Sequence, residues 1–466
     1  MAQAAAATEV DVVVIGMGVG GEHAAGELAS AGLEVVAAEA ELVGGECAYW
    51  ACVPTKMMVR AAGLLAEARR VPGMAGSTTV SPDWAPVAAR IREDATDEWD
   101  DAVAADRFID RGGRLVRGRA RLTGPRRVAV GGQEFTARRG IVIATGSAPQ
   151  APPVPGLDEV RYWTNREAVA AREAPESLLV LGGGPVGLEI AQVYARFGTE
   201  VTVVEAADRL LSREEPEASG LLAGVLDREG IVLRLGATAR RVEHDGDVFR
   251  MHLESGEVLS AARLLVATGR RPRLAGLGLE QAGLDPEARA LETDGRMRAA
   301  DGIWAIGDVT GRGPFTHVAM YQAAIAVRDV LGRDGPEADY RSLPRVTFTD
   351  PEVGAAGLTE REAVEQGIRV RTGMAKLPSS ARGWIHRAGN DGFVKLVADA
   401  DRGVLVGATT AGPCGGEMLH GLQTAVQART PVAVLRGMIY AYPTFHRAVE
   451  PALADLGDLG DLGDRP

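Results

Sequence analysis

The chain has 466 residues, 46% of them hydrophobic, and a net charge of −12 at neutral pH. That length exceeds what one hydrophobic core serves and predicts two to four soluble domains, while the acidic balance argues against a nucleic-acid binder. Three cysteines exclude a disulfide scaffold, no apolar run approaches the ~20 residues of a membrane span, and the opening MAQAAAATEVDVVVIG lacks a secretory n-region and cleavage site, so we expect a cytoplasmic protein.

The first organised unit is VDVVVIGMGVGGEHAAGELASAGLEVVAAEA. An apolar run ends at Gly16, a helical pattern runs to about Ser30, Gly32 suits a helix C-terminal cap, and a second apolar run ends at Glu39. Gly16, Gly18 and Gly21 fit G-x-G-x-x-G: a tight turn, a close backbone approach to pyrophosphate, and a close helix–strand contact. Phosphate is expected at the helix N-terminus, with Glu39 placed to accept ribose hydroxyls.

Next comes GGECAYWACVPTK, which holds Cys47 and Cys52. For a metal clip it offers no second pair and no histidine. A regular helix would set residues five apart on different faces and roughly 8 Å from each other, beyond the reach of a disulfide, so a bonded pair requires a distorted first turn. Two buried thiols are the other possibility.

The plan then repeats. SLLVLGGGPVGLEIAQVYARFGTEVTVVEAADRL carries Gly182, Gly184 and Gly187, a capping Gly198, and Glu205 at the end of the next strand. Each copy has a further apolar strand ending in Ala-Thr-Gly, GIVIATGS with Thr145 and Gly146, and RLLVATGR with Gly269. Two dinucleotide-binding halves are therefore expected. In GIWAIGDV, Asp308 stands at a strand's C-terminal end, where doubly wound sheets bind ligands. From about Leu343 the pattern turns to alternating strands with a helical stretch near Gly415 to Gln427, which predicts a separate α+β domain. The acidic repeat DLGDLGDLGD is expected to be disordered.

This ordered set resembles the pyridine nucleotide-disulfide oxidoreductases, the flavoenzymes that include dihydrolipoamide dehydrogenase, glutathione reductase and mercuric reductase. It spans the flavin fingerprint, C-x4-C followed by Pro-Thr-Lys, Ala-Thr-Gly, the second fingerprint, ATGRRP, AIGD, FTDPEVGAAGLTE and YAYPTFHRA. The resemblance implies an α/β chain with two Rossmann-like dinucleotide-binding domains and a C-terminal α+β dimerisation domain. The expected limits are 1–152 and 273–340 for FAD binding, 153–272 for NAD binding, 341–450 for the dimer interface, and 451–466 for an acidic tail. It also implies cofactor contacts at Gly16, Gly18, Gly21, Glu39, Lys56, Ala120, Thr145, Gly146, Gly182, Gly184, Gly187, Glu205, Gly269 and Asp308.

Carried over, Cys47 is the exposed interchange thiol and Cys52 the thiolate beside the flavin; Lys56 pairs with Glu189. A thiolate needs positive surroundings or a helix N-terminus. Cys414 is expected to be a small core or interface residue, and His317 to have no proton-transfer duty. Relatives that exchange disulfides carry a His-Pro-Thr motif and, three residues on, a glutamate. Here those positions are Tyr442 and Arg447, so the acid–base pair is replaced; tyrosine is a poor base at neutral pH but a good hydrogen-bond donor. His446, four residues past Tyr442, would share a helix face with it if a helix began near Pro443. A carboxylate at Glu205 favours NADH over NADPH.

The sequence thus predicts a homodimeric, FAD-dependent, NADH-linked oxidoreductase with a redox-active Cys47–Cys52 disulfide, no resident metal, and a small-molecule or metal-ion acceptor. A dihydrolipoamide dehydrogenase with an altered proton relay is the second reading. A redox-sensing or partner-binding flavoprotein with little turnover is the third.

Overall fold

The structure, a computed structural model, describes residues 7–459. Thr8–Ile15, helix Val19–Ser30 and Val35–Glu39 form the expected strand–helix–strand unit. Its helix stops where Gly32 takes φ 86°, a conformation that side chains disfavour. Thr8–Ile15 lies between Gln133–Ile143 and Val35–Glu39, with Ile303–Ala305 and Arg114–Arg117 outside them, all parallel. Because helices cover both faces of such a sheet, its strands read as continuous apolar runs; Val12, Val13 and Val14 are fully buried.

The second copy has the same order. Ser177–Leu181 sits between Arg263–Val266 and Glu200–Glu205, with Val232–Leu235 beyond, again parallel. A two-stranded antiparallel ribbon, Ser147–Pro149 with Arg270–Pro272, ties together the ends of the two Ala-Thr-Gly strands. The third layer is a five-stranded antiparallel sheet ordered Pro344–Thr347, Glu352–Gly357, Val404–Gly412, Phe393–Asp399, Val370–Lys376, against which helix Gly415–Ala428 packs.

Two features place the site. Helix Cys52–Arg70 packs Met58 and Ala62 into one core with Leu188, Ala191 and Tyr194 of helix Pro185–Arg196, so the cysteine segment leans on the second fingerprint helix. Asp350 cross-links the same pair of helices, accepting Arg70 at 2.7 Å and Arg196 at 2.8 Å.

The expectation of disorder in DLGDLGDLGD, which begins at Asp455, does not hold as far as Leu459. Residues Val449–Asp455 are helical, and Leu456 and Leu459 are buried in the core of the third layer. The one-in-three leucine spacing supplies an apolar edge that composition alone concealed. The rest of the repeat lies outside the described residues. No helix among the described residues is long and apolar enough to cross a membrane.

Candidate active site

Each fingerprint builds an open cradle. Gly16 has φ 95° and Gly182 φ 115°, and a Cβ on either would overlap the carbonyl of Ala144 or Ala267, just past the end of the adjoining strand. A Cβ on Gly21 or Gly187 would overlap the carbonyl of Gly16 or Gly182, so glycine permits the close helix–strand contact. At Gly18 and Gly184, the N-caps of the two helices, an added Cβ would meet no atom within 4 Å. That open space before unpaired N–H groups fits a pyrophosphate.

The acidic residues are held alike. Glu39 accepts from Met17 N and Glu41 N, both at 2.7 Å; Glu205 accepts from Gly183 N at 2.5 Å and Ala207 N at 2.7 Å. Each carboxylate therefore braces its own glycine turn, a role the sequence reading did not foresee, and each oxygen retains a second lone pair.

Thr145 Oγ1 donates to the Arg273 carbonyl at 2.8 Å, and Gly146 and Gly269 turn the chain at φ 68° and 138°. Asp308, half-buried on the turn Gly307–Thr310, accepts from Ser147 Oγ at 2.5 Å, and burial raises its carboxyl pKa against that bond and Arg270. Ala120 packs on the first-half core in the loop whose Gly118 N donates to the Glu39 carbonyl at 2.8 Å.

Between the cradles lies the thiol pair. Helix Gly45–Tyr49 ends at Trp50, and Ala51 takes φ −135° and ψ −101° before a new, 19-residue helix starts at Cys52. The distortion required for the two sulfurs to meet is thus a complete helix break. The structure holds Cys47 and Cys52 as free thiols, near enough that each shifts the other's pKa. Cys52, at the helix N-terminus, has its pKa lowered to about 6, chiefly by the hydrogen bond from Cys47, with Thr316 and Lys56 adding to it against burial. Cys47 is pushed up, first by giving that bond and then by burial.

Cys52 is exposed and Cys47 half-buried in the protein alone. The break leaves Cys47 inside the short helix and Cys52 at the start of the next. Cys52 Sγ lies 3.3 Å from Thr316 Oγ1, at the start of helix Thr316–Val330.

Lys56, one turn on, donates to Glu189 Oε2 at 2.6 Å; Glu189 Oε1 accepts Phe348 N at 2.8 Å, and the ammonium sits 4.6 Å from the Phe348 ring centroid. Thr316 and Phe348 were not singled out from sequence, although Thr316 immediately precedes His317 and Phe348 opens FTDPEVGAAGLTE. Also missed was an ion cluster beside the cysteines, in which Arg166 bonds Glu41 and Glu46 while Arg273 bonds Glu41 at 2.8 Å. Among the described residues no cluster of three or more His, Cys, Asp or Glu is arranged to hold a metal.

At the far end of the chain, Tyr442 is exposed, with the Arg447 guanidinium 5.2 Å from its ring centroid and Glu450 at 2.8 Å from Arg447. No helix starts at Pro443. His446 opens a 3-10 turn, His446–Ala448, with Nε2 3.4 Å from Thr444 Oγ1, so the helical relation expected between Tyr442 and His446 is absent. His317 stacks on Phe315 and places Nε2 3.0 Å from the Pro344 carbonyl, its pKa lowered by burial. Cys414 is half-buried, its pKa raised by burial and by Glu352.

Two duplicated dinucleotide folds flanking a thiol pair define a nicotinamide- and flavin-linked oxidoreductase. Residues 10–323 match the family described as pyridine nucleotide-disulphide oxidoreductase, and residues 343–453 match its dimerisation domain. The chain is 36% identical over 448 residues to a dihydrolipoyl dehydrogenase of Thermus scotoductus, covering 93% of this chain and 94% of that one. It is 32% identical over 451 residues to a mercuric reductase of Bacillus cereus, covering 96% of this chain and 71% of that one. Among solved structures, the Cu(II) complex of the HOCl-induced flavoprotein disulfide reductase RclA from Escherichia coli superposes with a TM-score of 0.84 at 27% identity, over 96% of this chain and 99% of that one. The chain belongs to the pyridine nucleotide-disulphide oxidoreductase family and is an enzyme of its FAD- and NAD(P)H-dependent kind.

Proposed function

We propose that this enzyme is a homodimeric, NADH-linked disulfide reductase that passes electrons through a Cys47–Cys52 disulfide to a small-molecule or metal-ion acceptor. The observation that carries the reading is the thiol pair, with Cys52 at a helix N-terminus, beside Cys47, 3.3 Å from Thr316 Oγ1 and one turn from the Lys56–Glu189 pair. Bound FAD and NADH supply the two-electron chemistry. Lys56, held by Glu189, keeps positive charge beside Cys52, while Cys47 carries the proton. Oxidation joins the two sulfurs with loss of two electrons and the Cys47 proton; reduction reverses this, and the acceptor takes the electron pair from the thiols.

The preference for NADH is supported at Glu205, a carboxylate that repels a 2′-phosphate. The nearby Arg209 guanidinium is engaged by the Glu214 and Ser212 carbonyls and Ser219 Oγ at 2.7–2.9 Å. The dimer is supported by an exposed apolar group in the third layer, where Ile439 is 99% and Tyr442 67% exposed beside Met438 and Val434. We assign 1–152 with 273–340 to FAD, 153–272 to NAD and 341–450 to the dimer contact, and place the enzyme in the cytoplasm.

The acceptor class is supported by Tyr442 and Arg447, which offer no base for dithiol oxidation, and by likeness to a mercuric reductase and to a reductase solved with Cu(II). Dihydrolipoamide oxidation is the second reading, favoured by the full-length likeness to the Thermus scotoductus enzyme. Steady-state NADH oxidation with quinone, Hg(II), Cu(II), lipoamide and glutathione disulfide tests the choice. Turnover highest with a quinone or metal ion and abolished by Cys47→Ser supports the proposal; highest turnover with lipoamide favours the second reading.

A further inference from the structure

The segment Thr96–Asp101 lies against the turn that separates the two cysteines. Its residues Asp97, Glu98 and Trp99 have φ of 47°, 55° and 60°, three successive non-glycine residues in a left-handed conformation that L side chains disfavour. Such a turn persists where its surroundings over-determine it. Before the turn, Thr96 Oγ1 donates to the Arg92 carbonyl at 3.1 Å. After it, the Asp101 carboxylate accepts Val43 N at 2.6 Å and pairs with Arg117 at 2.7 Å.

The turn sets the Trp99 indole face to face with Trp50, ring centroids 5.3 Å apart and planes 20° from parallel. Trp50 is held from other sides too: the Arg166 guanidinium lies 5.4 Å from its ring, and its carbonyl accepts Asn165 Nδ2 at 2.7 Å. Trp50 and Ala51 are the residues at which the helix breaks. An unbroken helix would keep the two sulfurs apart, so whatever fixes Trp50 fixes the approach of Cys47 to Cys52.

We propose that Trp99 is a positioning residue whose ring, presented by the left-handed turn, pins Trp50 and holds the broken junction in the shape that keeps the two thiols within bonding reach. This rests on the reading of Cys47 and Cys52 as a redox pair. Trp99 acts through Trp50, so its removal should slow ring closure between the thiols without blocking the reaction of the first.

The test uses reduced, FAD-loaded, full-length enzyme carrying Cys414→Ser and one equivalent of 5,5′-dithiobis(2-nitrobenzoate). The first protein thiolate attacks the reagent's disulfide and releases one nitrothiobenzoate. The second thiolate then attacks the mixed disulfide, forms Cys47–Cys52 and releases the other. That second release is first-order and reports the approach of the thiols. Trp99→Leu, which keeps an apolar side chain but no flat face, should slow it by about tenfold while changing the first release little, because positioned intramolecular reactants lose their advantage when the geometry loosens. Trp99→Phe should restore most of the rate. An unchanged second release in Trp99→Leu would overturn the proposal and leave the redox pair standing. Release of a single equivalent by the parent protein would overturn the redox-pair reading and this inference with it.

Discussion

Removing the Cys47 thiol should raise the pKa of Cys52. In the reduced enzyme Cys52 has a pKa of about 6 and Cys47 is far less acidic, so at pH 7 about nine-tenths of Cys52 is thiolate, against ~3% for an ordinary cysteine. The largest cause is the hydrogen bond from Cys47. A bond to a charged group contributes about 1.5–3 kcal/mol, or roughly 1–2 pH units. Because Cys52 is exposed, water replaces part of that bond in Cys47→Ala, and we take the low end, a rise of ~1 unit. At pH 6 the thiolate fraction then falls from about half to about a tenth, and iodoacetamide alkylation slows about fivefold. The assay is the alkylation rate from pH 5 to 9 in the reduced protein, with Cys414→Ser to leave one reporting thiol. A Cys47→Ala protein that still titrates at about 6 would refute the reasoning and transfer the effect to Lys56, Thr316 and the helix N-terminus.

Three further outcomes follow from other contacts. Glu205→Arg should shift preference toward NADPH by at least tenfold in the ratio of kcat/KM values, whereas a wild-type enzyme that uses both nucleotides equally would show that Glu205 does not select. Tyr442→His with Arg447→Glu should selectively raise activity with dihydrolipoamide, by ~100-fold if a working acid–base pair is restored; no gain would mean that the replaced dyad is not the limiting feature. Lys395, 4% exposed, bonds Glu215, Glu217 and Glu360 at 2.8–3.0 Å across two layers. Lys395→Met should lower stability by about 3 kcal/mol, since it leaves the buried Glu215 unpaired, read as a lower urea midpoint that Glu215→Gln partly restores.

Much of the site was legible because glycine records backbone geometry. Gly16, Gly21, Gly182 and Gly187 stand where a Cβ would overlap a named carbonyl, so their spacing announced both cradles. Lys56 and Glu189 were legible only through resemblance, since 133 residues separate them. The helix break was foreseeable in principle, as two cysteines five apart cannot meet on a regular helix, but its supports were not: Trp99 reaches Trp50 through a left-handed turn built without glycine. Leu456 and Leu459 were hidden by a repeat whose composition resembles disordered chain while its leucines pack.

The central claim is that Cys47 and Cys52 form a redox couple in contact with the flavin. Anaerobic titration of the FAD-loaded enzyme with NADH tests it most directly. The account predicts that full reduction takes two equivalents per subunit, with a long-wavelength charge-transfer band at the midpoint that Cys52→Ser removes. Complete reduction by one equivalent, with no such band, would contradict it.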